Sequence, residues 1–419
     1  MATKTRSALA TAGKKFRTKN ISKRIQRIVI SPIKEMSILA DEWREKTGAH
    51  IISFGQGIPF WDTPEHIKKA LHKALNEHDT AFYTLEPGIT ELRERIARFI
   101  ENEKGVRQVV GKKEIMVSVG AQEAIDCALM TLIDNGDEVL LPEPAYASHV
   151  EQVLLFGGVP KFIPLDASGD AWRLDFNALE KAITKKTKAI LFSNPSNPTG
   201  AVFGKADIAK LAKLAIKHDL IIISDETYDF LTYDGVKHFS PVSLPWARKH
   251  VIVASSFSKK YAMTGYRIGY AYAEEGLIDH MLKAHDALAI CAPAISQKAA
   301  MAALKVPQKS VTESVRRFKE NRALMCKELD GLYEFISYKK PQGAYYILAK
   351  VLHPRVDSFT LALRILREAN IIVIPGAAFG PSGEGYIRFS FAGNPKLIHE
   401  GFRRLHEWFT AWRDQDFKL

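Results

Sequence analysis

Residues 255–270 read SSFSKKYAMTGYRIGY. Two lysines stand side by side after a run of hydroxyls, and Arg267 follows eight residues after Lys259. The flanks decide what this stretch is. HVIVAS (250–255) and YRIGYAYA (266–273) are short, apolar, β-branched or aromatic runs that predict buried strands. A cationic loop wedged between two interior strands is costly unless something anionic is meant to sit there. One of the two lysines is therefore a candidate nucleophile.

The same texture extends outward. From about residue 66 to 310, strand-like runs alternate with helix-period segments: EIMVSV leads into GAQEAIDCALMTLI, TKAILF is followed by KADIAKLAKLAIKH, and then comes LIIIS. This alternation predicts an α/β domain with a largely parallel sheet. The C-terminal part differs: a long polar helix near 308–330, then AYYILAKV, a helix, IIVIPG, YIRFSFA and a final helix. That mixture predicts a smaller α+β domain packed against the first.

Polar residues line up with the strand ends. Gly120 follows IMVSV, Asn194 and Asn197 follow AILFS, Asp225 follows LIIIS, and Ser256 and Lys259 follow VIVAS. In open α/β sheets the carboxyl edge is where ligands bind. VGAQEAI offers small residues where a helix begins, so free N–H groups can face a phosphate. It is neither a P-loop nor a GxGxxG fingerprint, which argues against a nucleotide. Ser256, Lys259 and Arg267 add a hydroxyl, an amine and a guanidinium, while a buried Asp225 requires a cationic partner. A phosphorylated ring with a basic nitrogen, held by an amine, satisfies the set; pyridoxal phosphate is such a ligand.

Composition sets the outer bounds. The chain of 419 residues is 46% hydrophobic, enough for two packed domains, and no run approaches a membrane span. Cys127, Cys291 and Cys326 show no metal-ligand spacing, so no metal is expected, and they fit a reducing compartment. The net charge is +12, but residues 1–34 hold ten Lys or Arg and no acid, leaving +2 on the remainder. Residues 1–30 read as a basic, disordered extension, with an organelle-targeting peptide as the sharper alternative. A nucleic-acid arm ranks below both because only Phe16 interrupts the charges.

Several motifs in order, YTLEPGITELRERIA, VGAQEAI, PEPAY, NPSNPTG, SDETYDF, SFSKKYAMTGYRIG and YIRFSFA, give the chain a clear resemblance to class I aminotransferases of pyridoxal-phosphate fold type I. The resemblance runs from about residue 30 to the end. It implies a large domain (60–320) with a mostly parallel seven-stranded sheet, and a smaller α+β domain formed by 31–59 and 321–419. By motif, Lys259 resembles the Schiff-base lysine, with Ser256 three residues before it and Arg267 eight after. Lys260 is then expected to be a surface charge or a second phosphate counter-ion. Asp225 matches the carboxylate on the ring nitrogen, with His149 a candidate brace. Asn197 and Tyr228 match the donors to the ring hydroxylate, and Tyr146 the stacking aromatic. Gly120, Ala121, Gln122, Ser256 and Arg267 match the phosphate cup. Arg388 resembles the clamp on the substrate α-carboxylate, with Asn197 and Gly55 beside the substrate. Tyr83 stands where the family's tyrosine reaches the phosphate of a neighbouring subunit, so a homodimer is expected.

The implied activity is transfer of an amino group from an L-amino acid to a 2-oxo acid, 2-oxoglutarate or pyruvate, in the cytoplasm, with no nucleic acid or membrane as partner. Gln122 stands where some aspartate-specific members carry lysine, which leaves aromatic, branched and small neutral donors open. A β- or γ-lyase would share every cofactor residue and is the alternative. A DNA-binding regulator ranks third, since about 34 basic residues cannot bury a core of their own.

Overall fold

The computed structural model describes residues 21–414 except Val29, Val306, Pro307 and Pro354. Most of the basic extension, residues 1–20, lies outside the described residues; of the remainder, Ile25–Arg27 form an exposed 3-10 turn.

A two-residue strand, β1 (Ile52–Ser53), precedes the seven strands of the main sheet: β2 (Ile115–Ser118), β3 (Glu138–Glu143), β4 (Val159–Pro164), β5 (Thr187–Ser193), β6 (Ile221–Asp225), β7 (Val251–Ser256) and β8 (Gly269–Tyr272). Their order is β2-β8-β7-β6-β5-β3-β4. Only β8 runs against its neighbours, antiparallel to both β2 and β7. The apolar runs are continuous rather than alternating because both faces are covered. Successive side chains enter different cores. Val117, Leu140, Ile190, Ile222, Val253 and Tyr270 join one apolar cluster. Met116, Leu141, Leu191, Ile223, Ile252 and Ala271, each one residue away, join the other. The alternation of strand and helix read from the sequence is thus a doubly wound α/β domain.

The C-terminal part carries β9 (Ile336–Tyr338), β10 (Tyr346–Val351), β11 (Ile371–Ile372), β12 (Ile374–Pro375) and β13 (Tyr386–Ser390). An antiparallel sheet in the order β12-β13-β10-β9 results, while β11 pairs in parallel with β1 near the N-terminus. The helix Lys309–Asp330 precedes this unit, and the helices Ser358–Ala369 and Pro395–Asp414 cover it. Asp357 starts the first of these covering helices by accepting from the N–H groups of Phe359 and Thr360, and Asn370 ends it in the left-handed region. No helix among the described residues is long and apolar enough to cross a membrane.

Candidate active site

The carboxyl ends of β5, β6 and β7, the start of the helix Gly120–Leu132, the segment 55–58 and Arg388 of β13 enclose a cavity of about 610 Å³. Eleven of the residues singled out from the sequence line it: Gly55, Ala121, Gln122, Tyr146, Asn197, Asp225, Tyr228, Ser256, Lys259, Arg267 and Arg388.

Lys259 lies in the four-residue helix Phe257–Lys260, whose first turn is capped by Ser256 Oγ accepting from Ser258 N–H at 3.0 Å. Its Nζ donates to Gly57 O at 2.7 Å. Burial, then the charges of Arg267 and Arg388, bring its pKa down from 10.5 to about 8, against a weaker opposing pull from Asp225. An amine in this setting is reactive near neutral pH.

Asp225 closes β6. Its Oδ1 accepts from Thr227 N–H at 3.1 Å and Thr227 Oγ1 at 2.7 Å, and its Oδ2 lies 3.3 Å from His149 Nε2. The bracing histidine is therefore in place, fully buried, and its ring meets Tyr146 edge-on at 5.4 Å. Tyr228 shares a 2.9 Å hydrogen bond with Tyr346, and burial raises both phenols, so each stays protonated.

Arg267 adopts the left-handed region (φ 50°) and donates to Thr264 O at 3.2 Å and Val119 O at 3.3 Å. Gly120 (φ +83°) sits behind the guanidinium rather than on the cavity wall. A Cβ at 120 would fall 2.6 Å from Arg267 Nη2, so the glycine lets the cation approach the helix start. Behind this turn, Glu123 accepts from Val119 N–H and from His285 Nδ1, and Cys127 brings a third potential metal ligand within 4.8 Å of those two, a grouping with no spacing signal in the sequence.

Arg388 is 1% exposed and stacks 4.5 Å from the Tyr346 ring. It donates to Asn197 Oδ1 at 3.0 Å and to Gly55 O, while Nε has no hydrogen-bond partner among the described residues. It forms no hydrogen bond or ion pair to a carboxylate among the described residues, and burial lowers its pKa. A buried guanidinium without a carboxylate is a receptor for an anion.

The structure also separates some expected residues from the cavity. Tyr83 is 78% exposed and stands outside it. Asn194 is structural: its side chain donates to Phe203 O and accepts from Phe203 N–H. Lys260 is neither a surface charge nor a phosphate counter-ion. It is 9% exposed, does not line the cavity, and places its ammonium 4.3 Å from the Phe99 ring centre. Gly57 and Tyr346 were missed. Gly57 supplies the carbonyl to Lys259 and Tyr345, and a Cβ there would fall 1.8 Å from the Tyr346 hydroxyl.

These groups fit pyridoxal phosphate. The lowered amine of Lys259, the buried carboxylate of Asp225 and the helix start beside Arg267 are the kinds of group that the aldehyde, ring nitrogen and phosphate of that molecule would need.

Comparison with known proteins agrees. The family described as aminotransferase class I and II matches residues 49–405. A probable aspartate aminotransferase of Methanocaldococcus jannaschii is 39% identical over 93% of this chain and 100% of its own. Aromatic-amino-acid aminotransferase 2 of Thermococcus litoralis is 37% identical over 85% of this chain and 91% of its own. The solved structure of aspartate aminotransferase from Thermus thermophilus with maleate superposes with a TM-score of 0.85 at 32% identity, covering 92% of this chain and 99% of that one. With seven motifs in order, a match across most of its length and a cavity fitted to the cofactor, this chain belongs to the class I and II aminotransferases and is a pyridoxal-phosphate-dependent transaminase.

Proposed function

We propose that Lys259 is the residue that would hold the cofactor and that its Nζ takes the α-proton of the amino acid. Bound, the cofactor supplies an electron sink for the carbanion left at that carbon. Asp225, braced by His149, keeps the ring nitrogen protonated; Asn197 and Tyr228 donate to the ring hydroxylate; Tyr146 covers the ring face. The N–H groups of Ala121 and Gln122, with Ser256 and Arg267, take the phosphate, and Gly120 shapes the turn behind them. Arg388, beside Asn197 and Gly55, clamps the substrate α-carboxylate. The buried guanidinium with no carboxylate of its own carries this reading.

The donor range is broad. The relatives' names include both aspartate and aromatic amino acids, and neutral Gln122 lines the cavity with Ile33 and Ile58 as well as Lys34. The acceptor is 2-oxoglutarate or pyruvate. Purified protein is to be given each L-amino acid with each 2-oxo acid, following new keto acid and new amino acid together. Equal amounts of both are expected. Keto acid released with ammonia or thiol, and no new amino acid, would instead make the protein a lyase.

The working form is a cytoplasmic two-fold dimer in which Tyr83 reaches the neighbouring site. Exposed Phe82, Tyr83 and Leu85 support such a contact, and three free cysteines fit the compartment. Pairing of β1 with β11 supports a division into 60–320 and 31–59 with 321–419. Co-refolded Lys259→Ala and Tyr83→Ala chains should regain activity above the average of the parents. Deleting residues 1–25 should leave turnover intact.

A further inference from the structure

Three residues given roles above have chain neighbours that the chemistry does not use. Glu226 follows Asp225, Asp229 follows Tyr228, and Lys260 follows Lys259. None of these neighbours lines the cavity. They gather instead around Lys104, the last residue of the helix Thr90–Lys104. Lys104 Nζ lies 2.5 Å from Glu226 Oε2 and 2.7 Å from Asp229 Oδ2, with its side chain 3% exposed. Glu226 Oε1 accepts from Ser224 Oγ at 3.1 Å and Ser240 Oγ at 2.5 Å. Lys260 lies beside the group: it lines one small cavity together with Asp229, and burial lowers its pKa while Asp229 opposes that. His238 Nε2 stands 3.9 Å from Glu226, but burial lowers its pKa, so it adds no charge at neutral pH. One buried cation thus pairs with two buried anions.

Such a cluster is a poor way to gain stability, because apolar residues of similar size do as well or better. What it gives is fixed distances. The hydrogen-bonded charges tie the turn after β6 to the helix ending at Lys104, and Lys260 of the turn after β7 packs beside them. We propose that Lys104, Glu226, Asp229 and Lys260 are positioning residues that set Asp225, Tyr228 and Lys259 relative to one another. This rests on the roles proposed for those three.

The test removes charge in balance. In Lys104→Met/Glu226→Gln one cation and one anion disappear together, and Asp229 loses its ion pair but keeps Lys260 on the wall of the same small cavity. The holoenzyme is expected to keep its KM and stoichiometric cofactor. Its kcat should fall at least about tenfold, because small misplacements of reacting groups are expensive in the chemical step. The visible circular dichroism of the bound cofactor should change, and Lys104→Arg should recover part of the loss. Ser240→Ala, which removes one hydrogen bond to Glu226 and no charge, serves if the double variant does not fold. It should lower kcat about threefold with KM unchanged. Wild-type kcat and dichroism in whichever variant folds would overturn the proposal. Borohydride labelling elsewhere than Lys259 in the wild type would instead refute the site reading beneath it.

Discussion

Lys104 and Lys259 are both removed from water, yet they titrate in opposite directions. Lys104 meets Asp229 and Glu226, whose charges outweigh the cost of burial and raise its pKa. Lys259 meets Arg267 and Arg388, which add to that cost and bring it to about 8. Burial alone therefore does not assign a lysine its work; the sign of the charges beside it does. One region spends its charges on holding a shape. The other leaves an amine short of a counter-ion, the setting that the proposed role of Lys259 requires.

The largest effect expected is on chemistry at the second region. Lys259→Ala should lower transamination by about 10⁴-fold, the upper range for loss of a general acid–base group. Borohydride reduction followed by peptide mapping should find cofactor on Lys259 and none on Lys260. Label on Lys260 would reverse the assignment of the pair. Next comes the first region. Lys104→Met leaves two buried carboxylates facing each other and should cost about 3–5 kcal/mol in urea unfolding. A loss under about 1 kcal/mol would show the carboxylates to be better hydrated than their burial indicates.

The same measurement on Lys259 should change sign. With the cofactor removed, Lys259 is easier to protonate in the unfolded chain, where its pKa is 10.5, than in the fold, where it is about 8. Its penalty is complete below pH 8 and disappears as pH rises to about 10.5. Lys259→Met should therefore stabilise the apoprotein at pH 7, by up to about 3 kcal/mol, and the gain should vanish by pH 10.5. A destabilised variant at pH 7 would remove the contrast between the two lysines. The smallest effect belongs to Arg388→Lys, which keeps charge but loses the planar fork. A drop in kcat/KM of about 30-fold is expected, matching about 2 kcal/mol for a charged hydrogen bond.

Much of this was legible because the motifs keep their chemistry beside the strands that present it. Asp225, Ser256 and Lys259 follow apolar runs that can only be interior, so their polarity stood out. Direction was not legible. Adjacent helical residues point about 100° apart, and in Phe257–Lys260 that rotation sends Lys260 away from the cavity that Lys259 enters. Lys104 was passed over because a lysine before glycine at a helix end usually faces solvent; here Gly105 does take the left-handed cap (φ +63°), yet the lysine turns inward. Gly57 and Tyr346 belong to segments nearly three hundred residues apart in the chain. Nothing local says that the hydroxyl of one will press on the other.

The pairing of a cavity-lining residue with a cluster residue at 225/226, 228/229 and 259/260 has a bearing on how such a gene can drift. A point substitution changes one member of a pair and leaves the other where it was. Insertion of a single codon ahead of the pair shifts every residue by one place: Ser258 would be presented to the cavity while Lys259 took the place of Lys260, and both functions would fail although every side chain survived. Lineages descending from this chain should therefore tolerate changes of letter in these segments far better than changes of length, and aligned copies should show no gaps between 225 and 229 or between 256 and 260.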